Sequence, residues 1–309
     1  MKKTSVYLPD DLKAALSEAS ERAGCSEAEF IRLAIDVATQ QSAKGMPAPE
    51  QPRQRPAGPA LVGVGVGPGP ADLLTARAIH EVRSADTIAA ASISAQAIGR
   101  AEAVMRAGVG PVRVLRLALD VSGSPEARAC SLAAAAERLV ERLDRREVVA
   151  FLTLGDPNLF SVFPALAAAV LRARPGVPVR TVPGVLAFQE LAARSGTVVV
   201  AERGSLRIVA RGGEAETDND TTTAHTATSG AEDEVGDSIG RAEETLVLYR
   251  GGRAVPSIAR ALAAAGRADN AVVGELLGLP GERWSAAAEF LDDAPSYLAT
   301  LIAPAPGRR

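Results

Sequence analysis

The sequence predicts an α/β protein: a mostly parallel, helix-covered sheet in two lobes, preceded by a small β-α-α module. Three observations carry this. Between residues 61 and 195, short apolar runs, glycine-bearing turns and helical stripes follow one another in a repeating order, the order of a sheet covered by helices. The run Val148–Leu154 is apolar throughout and breaks at Gly155-Asp156-Pro157, as a parallel strand buried on both faces does at its carboxyl end. Composition also changes along the chain. Lys2, Lys3, Lys13 and Lys44 all lie before residue 45, every later basic residue is arginine, and Pro47, Pro49, Pro52, Pro56 and Pro59 crowd the boundary. We expect a module over 1–41, a stiff Pro-rich linker over 42–60 and a large domain over 61–303, its lobes dividing near 183/184.

Composition narrows the function classes. The 309 residues are 47% hydrophobic but only 3% aromatic, so the core must rest on Ala, Val and Leu. A net charge of -3 gives no global basic field, so any nucleic-acid contact must be local. Cys25 and Cys130 follow no metal spacing and read as free thiols of a reducing cytoplasm. No apolar run approaches the roughly 20 residues of a membrane span, and Pro9 follows the start too soon for a signal peptide. The expectation is a cytoplasmic protein with no metal site.

In the first module, Thr4, Val6 and Leu8 alternate with Lys3, Ser5 and Tyr7, predicting a strand. Pro9-Asp10-Asp11 opens a helix carrying Leu12, Leu16, Ala19 and Ala23 at helical spacing. After Gly24, Ser26 and Glu29 form a capping box for a second helix whose apolar face is Phe30, Leu33, Ala34 and Val37. One strand and two helices in about 40 residues cannot cover their own edge, so a homodimer with paired strands is expected. The pattern resembles the ribbon-helix-helix DNA-binding domains. That resemblance implies operator DNA as a partner, with Lys3, Ser5 and Tyr7 reading bases and the helix start at Ser26 holding a phosphate. The acids Asp10, Asp11, Glu18, Glu21, Glu27, Glu29 and Asp36 outnumber the basic residues of the module, which leaves dimerisation alone as the alternative.

The large domain opens with Leu61-Val-Gly-Val-Gly-Val-Gly-Pro-Gly69 and a helix over Leu73–Arg83. This is not a dinucleotide fingerprint: Pro68 removes a backbone donor from the turn, and Thr87–Ala91 lacks a ribose-binding acid at its end. We read the glycines as letting backbone approach a flat or bulky ligand. The strand Thr87–Ala91, a helix near Ala95–Arg106, the strand Val112–Leu117 and the helix Ala127–Leu143 lead into Val148–Leu154 and the helix Phe163–Arg172. Then follow the strand Val179–Val182, the turn Pro183-Gly184-Val185 and the helix Ala187–Arg194. Strands at Leu206–Ala210, Thr245–Tyr249, Ala271–Leu276 and Tyr297–Ala303, with a helix at Val255–Ala265, predict a second lobe with more antiparallel pairing. The stretch 212–244 is rich in Asp, Glu, Thr and Gly, includes His225, has no calcium-loop spacing and reads as a solvated insertion. His80 reads as a surface or packing residue.

Gly65-Val-Gly-Pro-Gly69 with Leu73-Leu-Thr75, Leu154-Gly-Asp-Pro157 and Val182-Pro-Gly-Val185, in this order, resemble the tetrapyrrole (corrin/porphyrin) methylase family over about 61–303. Gly155–Phe163 and Gly278-Leu-Pro-Gly-Glu-Arg283 are most similar to its precorrin-2 C20-methyltransferase branch. The resemblance implies S-adenosylmethionine in a cleft between two lobes, met by Pro68, Gly155, Asp156, Leu159, Leu186, Ala187 and Gly278, several through backbone. It implies a tetrapyrrole substrate, precorrin-2 or its cobalt form, in a neighbouring trough, and C20 methylation in cobalamin synthesis. No catalytic base is assigned. Arg77, Arg100 and Arg250 are the arginines available for substrate carboxylates. The chain departs from the family pattern where Pro70-Ala71 precede the acid Asp72, where Val162 and Leu186 replace Ser or Thr, and where Arg250 replaces Lys or Met. The alternative is a ribbon-helix-helix regulator whose methylase domain senses S-adenosylmethionine or a tetrapyrrole.

Overall fold

The computed structural model describes residues 10–23, 26–32, 58–120, 124–201, 204–210, 239, 244–292, 294–296 and 298–305. The chain divides into two compact units, Met1–Gln54 and Arg55–Arg309. In the first unit, helix α1 (Asp10–Ala23) is followed by helix α2 (27–32). Ser26 Oγ accepts from Glu29 N at 3.3 Å, the expected N-cap. The Glu27 carboxylate takes Lys13 and Ser17 of α1, which fastens the two helices and holds the Glu27 carboxyl below its usual range. The expected strand and its readers Lys3, Ser5 and Tyr7 lie outside the described residues, as do Cys25 and the insertion around His225.

The second unit begins with a five-stranded, wholly parallel sheet: β1 (Ala60–Gly65), β2 (Thr87–Ser92), β3 (Val114–Ala118), β4 (Val148–Thr153) and β5 (Val179–Val182), in the order β3-β2-β4-β1-β5. Its central strands are apolar on both faces because helices cover both. Val62, Val64, Ala90, Ala150 and Leu152 meet helices α3 (Ala76–Ser84) and α4 (Arg100–Val109) through Ala78, Val82, Val104 and Met105. Leu61, Ala89, Val149 and Phe151 face α5 (Pro125–Asp144) and α6 (Phe163–Ala173) through Leu139, Leu143, Phe163, Leu166 and Val170. With few aromatics to fill the core, Phe163 stacks on Phe151 at 6.0 Å between centroids.

The second sheet combines β6 (Ser205–Ala210), β7 (Glu244–Tyr249), β8 (Val272–Glu275), β9 (Arg283–Ala286) and β10 (Thr300–Ala303) in the order β6-β7-β10-β8-β9. Only the β6–β7 pair is parallel, so the second lobe is the more antiparallel one, as expected. Helix α7 (Ala187–Ser195) covers one face through Phe188, Leu191 and Ala192, and α8 (Val255–Ala264) the other through Ile258, Ala259 and Leu262.

Several boundaries differ from the sequence reading, each for a local reason. The helix expected from Leu73 begins at Ala76 because Thr75 caps it, its Oγ1 accepting from Ala78 N at 3.1 Å; Ala71–Leu73 forms a separate 3-10 turn. The helix expected near Ala95 begins at Arg100. Residues before it form a serine turn, Ala97 N donating to Ser94 Oγ at 3.1 Å, and Arg116 Nη1 donates to the carbonyl of Gln96 at 3.1 Å. Among the described residues of the expected last strand, Thr300–Ala303 forms β10, and β9 was not foreseen: a short edge strand with exposed Arg283 and Trp284 has no buried run to announce it.

Two buried polar clusters fasten what the small apolar residues cannot. Glu102, fully buried, takes Arg116 in a bidentate pair at 2.7 and 2.8 Å and Arg106 at 2.7 Å, and the bond raises the Arg116 pKa. Arg267 is 4% exposed and donates to the carbonyls of Ile239, Glu244 and Ala303 at 3.0, 2.7 and 3.0 Å. Burial pulls its pKa down, yet the carbonyls hold it in place. Arg267→Met leaves these carbonyls without their donor and should cost about 2–4 kcal/mol of stability, read as a lowered midpoint in urea denaturation at constant m-value.

Candidate functional site

The carboxyl ends of β1, β4 and β5 lie side by side, and three turns leave them in backbone contact. Gly67 and Gly155 exchange hydrogen bonds, Gly155 N donating to Gly67 O at 2.7 Å and Gly67 N to Gly155 O at 3.3 Å. A Cβ on Gly65 would stand 2.5 Å from Gly184 N and 2.6 Å from Gly155 O; one on Gly184 would stand 2.0 Å from Gly155 O. A Cβ on Gly69 would stand 1.9 Å from Leu277 O in the second lobe. Gly65, Gly69 and Gly184 thus give room to neighbouring backbone, in part that of the facing lobe, a role the sequence reading did not include, while Gly155 also lines the space beside them.

Asp156 fixes this junction. Its Oδ2 accepts from Gly184 N at 3.0 Å and its Oδ1 from Asn158 N at 2.8 Å, while Asn158 Nδ2 donates to Thr181 Oγ1 at 3.1 Å. Both carboxylate oxygens are thus engaged with turn backbone, which a carboxylate does well and a neutral side chain does not.

Beside the junction lies a cavity bounding about 690 Å³, part of it open to solvent. From the first lobe Pro68, Leu154, Gly155, Asp156, Leu159 and Phe160 line it; Leu186 and Ala187 at the start of α7 continue the wall. The second lobe adds Tyr249, Arg250, Leu276, Leu277, Leu279, Leu298 and Thr300. Among the residues singled out from sequence, Pro68, Gly155, Asp156, Leu159, Leu186 and Ala187 therefore meet in one place. Gly278 is not among the residues lining the cavity: it turns at φ 69°, a Cβ added there would stand 2.1–2.4 Å from the ring of Pro70, and its neighbours Leu277 and Leu279 do the lining. Arg250 lines the same cavity, Arg100 a second one, and Arg77 and His80 are exposed on α3.

Three of the four non-glycine residues with positive φ among the described residues line this cavity: Phe160 at 48°, Arg250 at 56° and Leu276 at 51°. Such conformations cost of order 1–3 kcal/mol each and persist where surrounding contacts impose them. Those contacts are visible. Arg250 Nη2 donates to Phe160 O at 2.7 Å, and the Phe160 ring packs on Tyr249 with centroids 5.6 Å apart. Tyr249 Oη accepts from Phe188 N at 3.4 Å, and burial pushes its pKa up to about 12, so it is a neutral phenol at any physiological pH. Leu186, standing at the N-cap of α7, has no hydroxyl to offer its first turn; Gln189 Oε1 accepts from Leu186 N at 2.8 Å and Tyr249 serves Phe188. Leu276 follows Glu275, whose carboxylate accepts from Arg283 Nε at 2.8 Å and from Ser296 N.

Sequence reasoning missed Phe160, Tyr249, Leu276 and Leu298. Tyr249 ends a strand the sequence did foresee, so a polar aromatic at a strand's carboxyl end was the available signal. The positive φ of Phe160 and Leu276 has no signature in a single sequence.

A sequence profile of the tetrapyrrole (corrin/porphyrin) methylases matches residues 60–288, which spans the first sheet and all of the second but β10. The chain belongs to this family. Its members take the transferred methyl group from S-adenosylmethionine. The precorrin-2 C(20)-methyltransferase of a Sinorhizobium species is 26% identical over 253 residues, covering 79% of this chain and 94% of that protein. The cobalt-precorrin-2 C(20)-methyltransferase of Salmonella typhimurium is 28% identical over 249 residues, covering 78% and 94%. The antitoxin VapB26 of Mycobacterium tuberculosis is 55% identical over 38 residues, 12% of this chain and 54% of that protein. Among solved structures, the methyltransferase CobJ superposes with a TM-score of 0.57 at 18% identity, covering 81% of this chain and 96% of that one, a likeness of fold.

Ligand pockets are mostly apolar with a few placed polar groups. The lining of this cavity has that character: leucines form much of its wall, and the guanidinium of Arg250, the phenol of Tyr249 and the carboxylate of Asp156 are among its polar groups.

The tight junction gives a direct test. Gly69→Ala forces two lobes' backbones apart and should destabilise by about 1–3 kcal/mol in thermal or urea unfolding. Gly58→Ala, where nothing lies within 4 Å of the added Cβ, should stay close to wild type.

Proposed function

We propose that this chain is a S-adenosylmethionine-dependent C-methyltransferase of cobalamin biosynthesis that methylates precorrin-2, metal-free or cobalt-bound, at C20. What supports this reading is the convergence of Pro68, Gly155, Asp156, Leu159, Leu186 and Ala187 on one interlobe cavity, together with relatives named for that reaction that match over nearly their whole length. In this reading Pro68, Gly155, Leu159 and Ala187 hold the donor through backbone and apolar contact. Asp156 acts by keeping the turns together, and Gly278 acts by setting Leu277 and Leu279.

Bound S-adenosylmethionine would supply an electrophilic methyl on a sulfonium, its sulfur leaving as a neutral thioether, and the methylated macrocycle carbon would then give up a proton. The chain's own task is approach and orientation, an effect that can reach about 7–11 kcal/mol where geometry is well set. The leucine walls exclude water from the donor. The phenol of Tyr249 remains protonated and so contributes a donor, not a base. Purified protein given precorrin-2 and methyl-labelled donor under anaerobic conditions should yield one labelled methyl on the macrocycle. Donor binding in calorimetry without label transfer to either the metal-free or the cobalt substrate would remove the enzymatic reading.

A second reading is favoured by the antitoxin match over 38 residues and by the departures at Pro70, Val162, Leu186 and Arg250. In it, residues 1–41 form a ribbon-helix-helix homodimer that binds operator DNA through Lys3, Ser5, Tyr7 and Ser26, and the methylase domain senses the donor or a tetrapyrrole. A gel shift on the gene's own upstream DNA, with and without S-adenosylmethionine, should show a band that Lys3→Ala weakens. Absence of any shift in both states would leave residues 1–41 as a dimerisation device.

A further inference from the structure

Part of the second lobe's wall of the cavity is one short loop, and a carboxylate closes it. Leu276, Leu277 and Leu279, from the connection between β8 and β9, line the cavity. Two backbones in this loop are left-handed, Leu276 at φ 51° and Gly278 at φ 69°. Leu279 N donates to Leu276 O at 2.8 Å, and Glu282 N to Leu279 O at 3.1 Å. The Glu282 side chain then folds back over the loop: its Oε2 accepts from Gly278 N at 2.7 Å, and its Oε1 accepts from Arg194 Nη1 in the last turn of α7. Arg194 Nε donates to Glu190, one turn earlier in the same helix. The bond to Glu190 is the main reason the Arg194 pKa stands above its usual value, and the charges of Glu282 and of Asp72 in the first lobe add to it.

We propose that Glu282 is a donor-positioning residue: it holds the 276–279 loop in the shape that walls the cavity, and Arg194 acts through it. The inference rests on the reading that this cavity holds S-adenosylmethionine. The amide that Glu282 takes belongs to Gly278, between two of the lining leucines, so one bond sets both. A carboxylate makes that bond stronger than a neutral acceptor would. A left-handed leucine is an unfavourable conformation that surrounding contacts must impose. Without Glu282, the loop is held by the first lobe's Gly69 and Pro70, which press on Leu277 and Gly278. Arg194 adds reach. Its helix begins at Ala187, which lines the cavity beside Leu186, so the Arg194–Glu282 pair ties one wall to the other. The Arg194 side chain is 33% exposed, so the pair contributes placement more than binding strength. Asp72, the acid displaced along the chain by Pro70 and Ala71, gains a role here: its charge favours the guanidinium that anchors Glu282.

The test is calorimetric titration of the full chain with S-adenosylmethionine, at a temperature where urea denaturation shows each variant fully folded. A loop that keeps its wall-forming shape only a tenth of the time raises the apparent Kd about tenfold, and Glu282→Ala should show a loss of that order. Glu282→Gln, nearly the same shape and still able to accept from Gly278 N, should lose less. Arg194→Ala should weaken the donor less than Glu282→Ala does. Adding Arg194→Ala to Glu282→Ala should change Kd by less than about twofold further, as expected of residues that act through one another. Ala187→Phe, which fills the cavity, serves as the control and should abolish donor binding. Loss of binding in Ala187→Phe with wild-type Kd in Glu282→Ala and Glu282→Gln would overturn the role of Glu282 and leave the donor cavity standing. Full additivity of Arg194→Ala and Glu282→Ala would overturn the claim that Arg194 acts through Glu282. Donor binding that Ala187→Phe leaves intact, or no binding by the wild type, would overturn the cavity reading and this inference with it.

Discussion

The large unit depends on one constraint: three turns at the carboxyl ends of adjacent parallel strands must touch backbone to backbone. A parallel sheet with crossovers on both faces leaves a crevice at those ends, where neighbouring connections depart in different directions. Here the crevice is partly closed by Gly65, Gly155 and Gly184, each occupying space that a side chain on its neighbour would need. Asp156 then converts a loose approach into a fixed one by accepting from two turn amides. The cavity is the remainder of the crevice once these turns have closed on each other, which explains why its walls are so largely leucine. The polar groups near it are occupied in building the walls.

The second lobe meets this junction in the same manner. Gly69 lies against the carbonyl of Leu277 and Gly278 against the ring of Pro70. The departures from the family pattern fall on such contacts and have local partners. Pro70 fills the space over Gly278. Leu186, without a capping hydroxyl, sits where Gln189 and the phenol of Tyr249 take up the free amides of α7. Arg250 holds Phe160 through its carbonyl. Val162 packs against the first lobe's core and lines the second cavity. Each substitution thus has a physical place, and none of them empties the cavity.

Much of the fold was legible because it rests on patterns of one residue type at one spacing. Val148–Thr153 is an unbroken apolar run buried on both faces, and the long helix read at Ala127–Leu143 follows from its helical periodicity, while the cap at Ser124 that starts it earlier was not read. The helix starts at Ala76 and Arg100 were misplaced because single side chains, Thr75 and Arg116, decide them against the periodicity. The site was legible as a set of turns, since Gly, Pro and Asp announce breaks. The backbone–backbone contact of these turns was not visible, because glycines that serve it look, in one dimension, like glycines that serve a ligand. The second lobe's contribution was the least visible. Phe160 and Arg250, both with left-handed backbone, are joined across the crevice by a hydrogen bond, and Tyr249 caps a helix that starts more than sixty positions before it in the chain.

Arg267 has a consequence for how this chain can vary. By gathering the carbonyls of Ile239, Glu244 and Ala303 around one buried guanidinium, it holds Ile239, the start of β7 and the end of β10 at one point. Extending a connection adds only a logarithmic entropic term, roughly 0.6 kcal/mol for each doubling. A change of chain length upstream of Ile239 should therefore cost this sheet little, so long as Arg267 keeps these three carbonyls together.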